Sequence, residues 1–268
     1  MSYGNNDFKI WSTSFLITFY IENKYSPCYN TCMGKNIILS GKEYSKNSEL
    51  ENIAQTVGLN PFVTTQFFED TNPKVVSINT TWNRCSPISA HSVIVNAENY
   101  FNQIEGAVLF FDSSSYDKIF TQNTTENFTK ATDELILGYT YLTLELLHRF
   151  SEHNPGKLFF VLQPQETKAD SIKNPSKQPM TQQSLGLITS MAQNAFKSFA
   201  ENVAAENYNP TGCFVYLLET SPETSEEQIL SWIATKMQED LPIYKNPKNA
   251  VIWQSTETKS KFQLSFGK

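Results

Sequence analysis

A chain of 268 residues, 40% hydrophobic and 18% charged, has ordinary globular composition and can bury a large core without disulfide or metal staples. Its net charge of −6 excludes the basic footprint of a nucleic-acid surface. No stretch reaches the roughly 20 apolar residues of a membrane span. The best candidate, "FLITFYI" (15–21), is too short and lacks the flanks of a signal peptide.

The four cysteines (Cys28, Cys32, Cys85, Cys213) and three histidines (His91, His148, His153) lack metal-ligand spacing. They read as reduced thiols and ordinary imidazoles of a cytoplasmic protein, with no metal site expected. The sequons at Asn79, Asn123 and Asn127 carry no meaning in that compartment.

The predicted elements alternate along the chain. "NIILS" (36–40) is a short continuous apolar run, as a buried parallel strand requires. "ELENIAQTVG" (49–58) follows with helical spacing and a terminal glycine. "PFVTTQFF" (61–68) and "KVVSINTTW" (74–82) read as strands, and "SAHSVIVNAENYFNQ" (89–103) as a helix. "GAVLFFD" (106–112) is the clearest buried strand, before a polar loop over 113–126. A long helix over 127–150 carries one stripe of Leu135, Tyr139, Leu142, Leu146 and Phe150, and a second of Leu137, Tyr141, Leu144 and Leu147. A helix apolar on both sides is buried on both sides.

"KLFFVL" (157–162) is another strand, and 163–182 a polar, proline-bearing loop. The helix "SLGLITSMAQNAFKSFAENVAAE" (184–206) is again doubly apolar. "CFVYLLE" (213–219) is a strand, "SEEQILSWIATKMQ" (225–238) a Ser-capped helix with an acidic first turn, and "AVIWQS" (250–255) a final edge strand. This alternation predicts βαβ units and a parallel α/β sheet. Residues 1–32 fit none of it. They are an added N-terminal arm or, the favoured reading, upstream sequence ahead of a start at Met33, with 33–268 forming the domain.

Over 33–255 the order and spacing resembles the short-chain dehydrogenase/reductase family. In that family the second long helix carries Tyr-x-x-x-Lys, then small residues and a distal Ala-x-Glu. Here "SMAQNAFKSFAENVAAE" ends in Ala204-Ala205-Glu206, which puts Thr189 at the tyrosine position and Gln193 at the lysine position. The family's nucleotide loop reads Thr-Gly-x-x-x-Gly-x-Gly. The matching "SGKEYSKN" (40–47) keeps Ser40 and Gly41 but has Ser45 and Asn47 at the later glycines. Those glycines let backbone approach a pyrophosphate. The ribose-holding carboxylate has no clean counterpart, Glu69 and Asp70 being nearest. The Asn-Asn-Ala-Gly station falls on Leu109, Phe110, Phe111 and Asp112, the helix asparagine near Leu135, and the catalytic serine on Leu162 or Gln163.

The resemblance implies a Rossmann-like, doubly wound parallel sheet in a single domain, with the family's chemistry removed. An aliphatic alcohol at Thr189 cannot replace a phenol as general acid, and Gln193 has no charge to grip a ribose. The expectation is no catalytic residue, no NAD(P) and no metal. In the family the two long helices pair with those of a second subunit, an interface of well over about 1,000 Å². The chain therefore reads as a non-catalytic or structural subunit, a homodimer or the partner of an active reductase. Tyr139, Leu142, Phe196 and Phe199 are its candidate interface residues.

Two alternatives stay open: an unrelated α/β domain, and a divergent, ketoacyl-reductase-like NAD(P)-dependent oxidoreductase using other residues. Open α/β sheets bind ligands beyond their strand C-termini, so Asp112, Ser113 and Gln163 are the candidate pocket for the latter. Deleting residues 1–32 is expected to leave cooperative thermal unfolding at nearly the same midpoint. A loss of many degrees would show that the arm packs into the core.

Overall fold

The computed structural model describes residues 34–44, 49–66, 80–173, 184–208, 212–240 and 246–256. The expected arm over 1–32 lies outside the described residues, as do Ser45, Asn47, Glu69 and Asp70. Six parallel strands, β1 (Lys35–Ser40), β2 (Leu59–Gln66), β3 (Thr80–Trp82), β4 (Gly106–Asp112), β5 (Gly156–Gln163) and β6 (Cys213–Glu219), form one sheet in the order β3-β2-β1-β4-β5-β6. The order reverses between β1 and β4, which makes their C-terminal ends the crevice of a doubly wound sheet.

Each central strand feeds two cores through the period-2 alternation of its side chains. Ala107, Leu109 and Phe111 of β4 enter one core, and Val108 and Phe110 the other. In β5, Leu158, Phe160 and Leu162 alternate in the same way with Phe159 and Val161. One face is covered by α1 (Leu50–Thr56) and α8 (Glu226–Gln238). The other carries α2 (Pro87–Phe101), α4 (Thr125–Thr132), α5 (Gly138–Glu152) and α7 (Leu187–Glu206). With both faces covered, the strands need no polar alternation, which is why they read as continuous apolar runs.

Helix ends are held by local side chains. Ser86 accepts from Ser89 N at the start of α2, and Ser225 and Gln228 form a reciprocal capping box on α8. The C-terminus of α8 is held from the strand it packs on, β5. The buried Lys157 ammonium donates to the carbonyls of Lys236 (2.7 Å), Met237 (3.2 Å) and Glu239 (2.6 Å). A cation there complements the negative end of the helix, although burial pulls the Lys157 pKa down.

Four expectations change. The start of the 113–126 loop is a short helix, α3 (Ser113–Asp117), because the Asp112 carboxylate accepts from Ser114 N and Ser115 N. Within 163–182, α6 spans Lys168–Lys173. Residues 250–255 are not an edge strand: after a 3₁₀ turn at Pro247–Asn249 only Gln254 pairs, bridging Leu218.

The fourth change concerns the interface residues. Tyr139, Leu142 and Phe196 are buried against the sheet, because the large aromatics fill the space over Phe111. Phe199 is half-buried, edge-on to Phe160. Of the second stripe, Leu137 at the end of Asp133–Leu137 and Leu144 of α5 (57% exposed) face outward, while Tyr141 and Leu147 pack partly against the core. Lys157→Met is expected to cost about 1–3 kcal/mol in urea unfolding, since it leaves buried carbonyls unpartnered.

Candidate functional site

The turn after β1 builds the site. Gly41 has φ +107°, a conformation that side chains rarely adopt, and a Cβ there would collide with the Phe110 carbonyl oxygen. The turn sends two charged side chains in different directions. Glu43 goes inward: its carboxylate accepts from Gly41 N (2.8 Å) and Thr64 Oγ1, and pairs with Arg84. The Glu43 and Arg84 side chains are only 2% and 3% exposed.

Four rings surround the Arg84 guanidinium: Trp82 at 4.8 Å, Tyr139 at 5.0 Å, and Tyr44 and Tyr116 each at 5.3 Å. Burial alone would lower the Arg84 pKa, but Glu43 and the two buried phenols hold it well above the ordinary value. The Tyr116 hydroxyl donates to the Gly41 carbonyl (3.0 Å), and the Tyr139 hydroxyl to that of Phe110. Burial pushes the Tyr116 phenol up to about 12. A five-residue π-helix, Asp133–Leu137, joins α4 to α5 and brings Glu134 to the Tyr44 hydroxyl. Gly138 follows it because an added Cβ would lie 2.8 Å from the Arg84 Cβ.

Lys42 goes the other way, across the crevice. Its ammonium donates to Gln163 Oε1 (2.5 Å) and pairs with Asp112 (3.3 Å) and Glu226 (3.5 Å). Burial raises the Asp112 pKa, but Lys42 and the Ser114 and Ser115 donors hold it below the ordinary carboxylate range. Beside this network the Ser113 hydroxyl donates to Gln193 Oε1 (2.6 Å). The Gln193 amide also closes a two-point pairing with the Gln165 backbone, accepting from its N–H (3.0 Å) and donating to its carbonyl (3.2 Å). Thr189 is fully buried, and its hydroxyl has no hydrogen-bond partner. At the start of α1, Glu49 and Glu51 place carboxylates where a helix N-terminus would otherwise attract an anion.

The candidate pocket residues Asp112, Ser113 and Gln163 do meet at one sheet edge, joined by Lys42 and Gln193. Leu109, Phe110, Phe111 and Leu162 lie buried within their strands, and Leu135 lies buried in the π-helix. Sequence reasoning missed Lys42, Glu43 and Arg84. One signal was available: Arg84 and Arg149 are the only arginines in the chain, and each pairs with a glutamate. Among the described residues no group of three His, Cys, Asp or Glu could hold a metal ion, and no helix is long and apolar enough to cross a membrane. Cys85 is exposed, while burial pushes the Cys213 thiol up to about 12.

The chain matches no family model. An uncharacterized protein of Treponema pallidum (strain Nichols) is 31% identical over 80 residues, 30% of this chain. That match spans 36% of the relative's own length. Solved structures are similar over far more of the chain. An enoyl-[acyl-carrier-protein] reductase (NADH) from Aquifex aeolicus VF5 superposes with TM-score 0.52 at 12% identity, over 83% of this chain and 93% of that one. An apo SCOR enzyme from Clostridium thermocellum gives 0.51 at 9%, over 78% and 88%. A short chain dehydrogenase from Leptospira borgpetersenii with bound NAD+ gives 0.50 at 15%, over 81% and 83%. The chain has the short-chain dehydrogenase fold. At these identities the likeness is one of fold.

Two outcomes test the network. Arg84→Leu strands Glu43 in the core and is expected to cost about 3–5 kcal/mol in urea unfolding, while the Arg84→Leu/Glu43→Gln double variant costs less than the two singles together. The depressed Asp112 pKa contributes stability above the unfolded value near about 3.9, lost as pH falls through the folded value. Asp112→Asn should therefore destabilise by about 1 kcal/mol at neutral pH, with the difference from the parent shrinking below about pH 4.

Proposed function

We propose that this chain is a non-catalytic protein on the reductase scaffold, acting by association with itself or with an active reductase, in the cytoplasm. The observation that carries this reading is Lys42, whose ammonium binds Asp112, Gln163 and Glu226 across the sheet's switch point. A pyrophosphate there would have to displace the lysine from its partners and face the carboxylates left behind. Glu49 and Glu51 add to the repulsion at α1.

At the positions the resemblance assigns to catalysis, Thr189 is sealed in the core, and Gln193 is committed to Ser113 and Gln165. The residues present fit a nicotinamide dinucleotide poorly.

The competing reading is a divergent NAD(P)-dependent oxidoreductase. One observation favours it: Tyr116 and Tyr139 stand beside the Arg84 cation, a phenol and a fixed positive charge together. Both hydroxyls, however, are fully buried and donate to backbone carbonyls, so neither reaches a substrate. The association reading draws on the exposed Leu137 of the π-helix and Leu144 of α5, and on the half-buried Ala195 of α7.

Calorimetry with NADH and NADPH is expected to give dissociation constants weaker than about 100 μM; low-micromolar binding would overturn the non-catalytic reading. Light scattering at micromolar protein should show a dimer or larger, reduced to monomer by Leu144→Glu with Ala195→Glu. A parent protein that is monomeric and co-purifies with no reductase would refute association.

A further inference from the structure

A hollow lies away from the crevice, on the outer side of the start of α7. It is a cleft of about 820 Å³, within the roughly 300–1,000 Å³ of small-ligand sites. Its lining includes none of Lys42, Asp112, Ser113, Gln163, Thr189 or Gln193. It therefore stands independently of whether the crevice accepts a nucleotide.

The walls are tied together without a ligand. Leu185 N donates to the Glu166 carbonyl (3.0 Å), bridging Thr167 to Leu185, and Gly186 N donates to Asp117 Oδ1 (2.9 Å). These bonds join the segment after β5, the start of α7 and the end of α3 into one preformed rim. The same bond engages the carboxylate of Asp117, the acidic side chain in the lining.

The lining divides by chemistry. Phe120 and Leu185 are buried at its floor, with Met191 half-buried and Leu187 64% exposed beside them. Lys118 and Lys168 line the same cleft, both exposed, and neither has an ion-pair partner among the described residues. Of the other described lysines, Lys35, Lys42, Lys130, Lys197 and Lys236 are each paired with a carboxylate and Lys157 with backbone carbonyls, while Lys173 and Lys248 have no ion pair among the described residues. An apolar floor under two cations, beside one carboxylate already engaged by Gly186 N, is complementary to a molecule with an apolar chain and one anionic end. The chain removes Leu187 and Met191 from water, and the head meets positive charge at the rim.

We propose that this cleft binds an amphipathic organic carboxylate, its apolar chain over Phe120, Leu185, Leu187 and Met191 and its carboxylate between Lys118 and Lys168. The test uses the full chain labelled with ¹³C at the methionine methyls, with the Met191 signal identified through Met191→Leu. Sodium decanoate should shift that signal with a sub-millimolar midpoint. Decanol, with the same chain and no charge, should bind about tenfold more weakly, as should acetate, which has the charge and no chain.

A Lys118→Gln/Lys168→Gln variant, both changes at exposed sites, should lose about tenfold in decanoate affinity and keep its response to decanol. A Met191 signal unmoved by millimolar decanoate overturns the site. Equal affinity for decanoate and decanol, or a double variant that binds decanoate like the parent, overturns the assignment of an anionic head.

Discussion

The buried pair of Glu43 and Arg84 holds together the part of the molecule where a doubly wound sheet does its chemistry. A guanidinium cannot shed its charge, so placing it in the core demands a carboxylate at contact and soft, polarisable surroundings. Glu43 supplies the first and four aromatic rings the second. The pair thereby fastens the turn after β1 to β2 through Thr64, to the end of β3 through Arg84, and to α3 and α5 through the two buried tyrosines. The positive φ of Gly41 and the absent side chain of Gly138 are the backbone conditions that let these elements close around it.

The same economy of charge governs the crevice. Lys42 lies between Asp112 and Glu226, and Gln193 is tied to Ser113 and to the Gln165 backbone. A ligand entering there must replace existing contacts before it gains its own, and that cost works against binding. Beside α7 the balance is reversed: Lys118 and Lys168 are unpaired over an apolar floor, and a ligand gains contacts without breaking any.

The packing of the long helices shows how one apolar stripe is chosen over another. β4 and β5 present Phe111 and Phe160, and Phe196 packs on both, tilted against the first and edge-on to the second, while Tyr139 packs on Phe111. The bulkiest residues of each helix therefore turn inward, and smaller or aliphatic ones such as Ala195 and Leu144 are left outside. A helical wheel identifies two stripes but not which one meets the sheet, because both are apolar and the choice depends on the shape of the surface beneath.

The amino-acid sequence by itself determined the strands at 106–112 and 213–219, the helix at 225–238 with its cap, and the alternation that makes a parallel sheet. These follow from local periodicity and capping, which act over a few residues. It also marked Asp112, Ser113 and Gln163, because strand ends are readable once strands are. Only the tertiary structure decided that Lys42 reaches Gln163, 121 residues on, and that Glu43 reaches Arg84, 41 residues on. Neither partner leaves a local pattern. Such pairs are set by the order of the strands in the sheet, each reaching past one intervening strand, and that order exists only after the chain has folded.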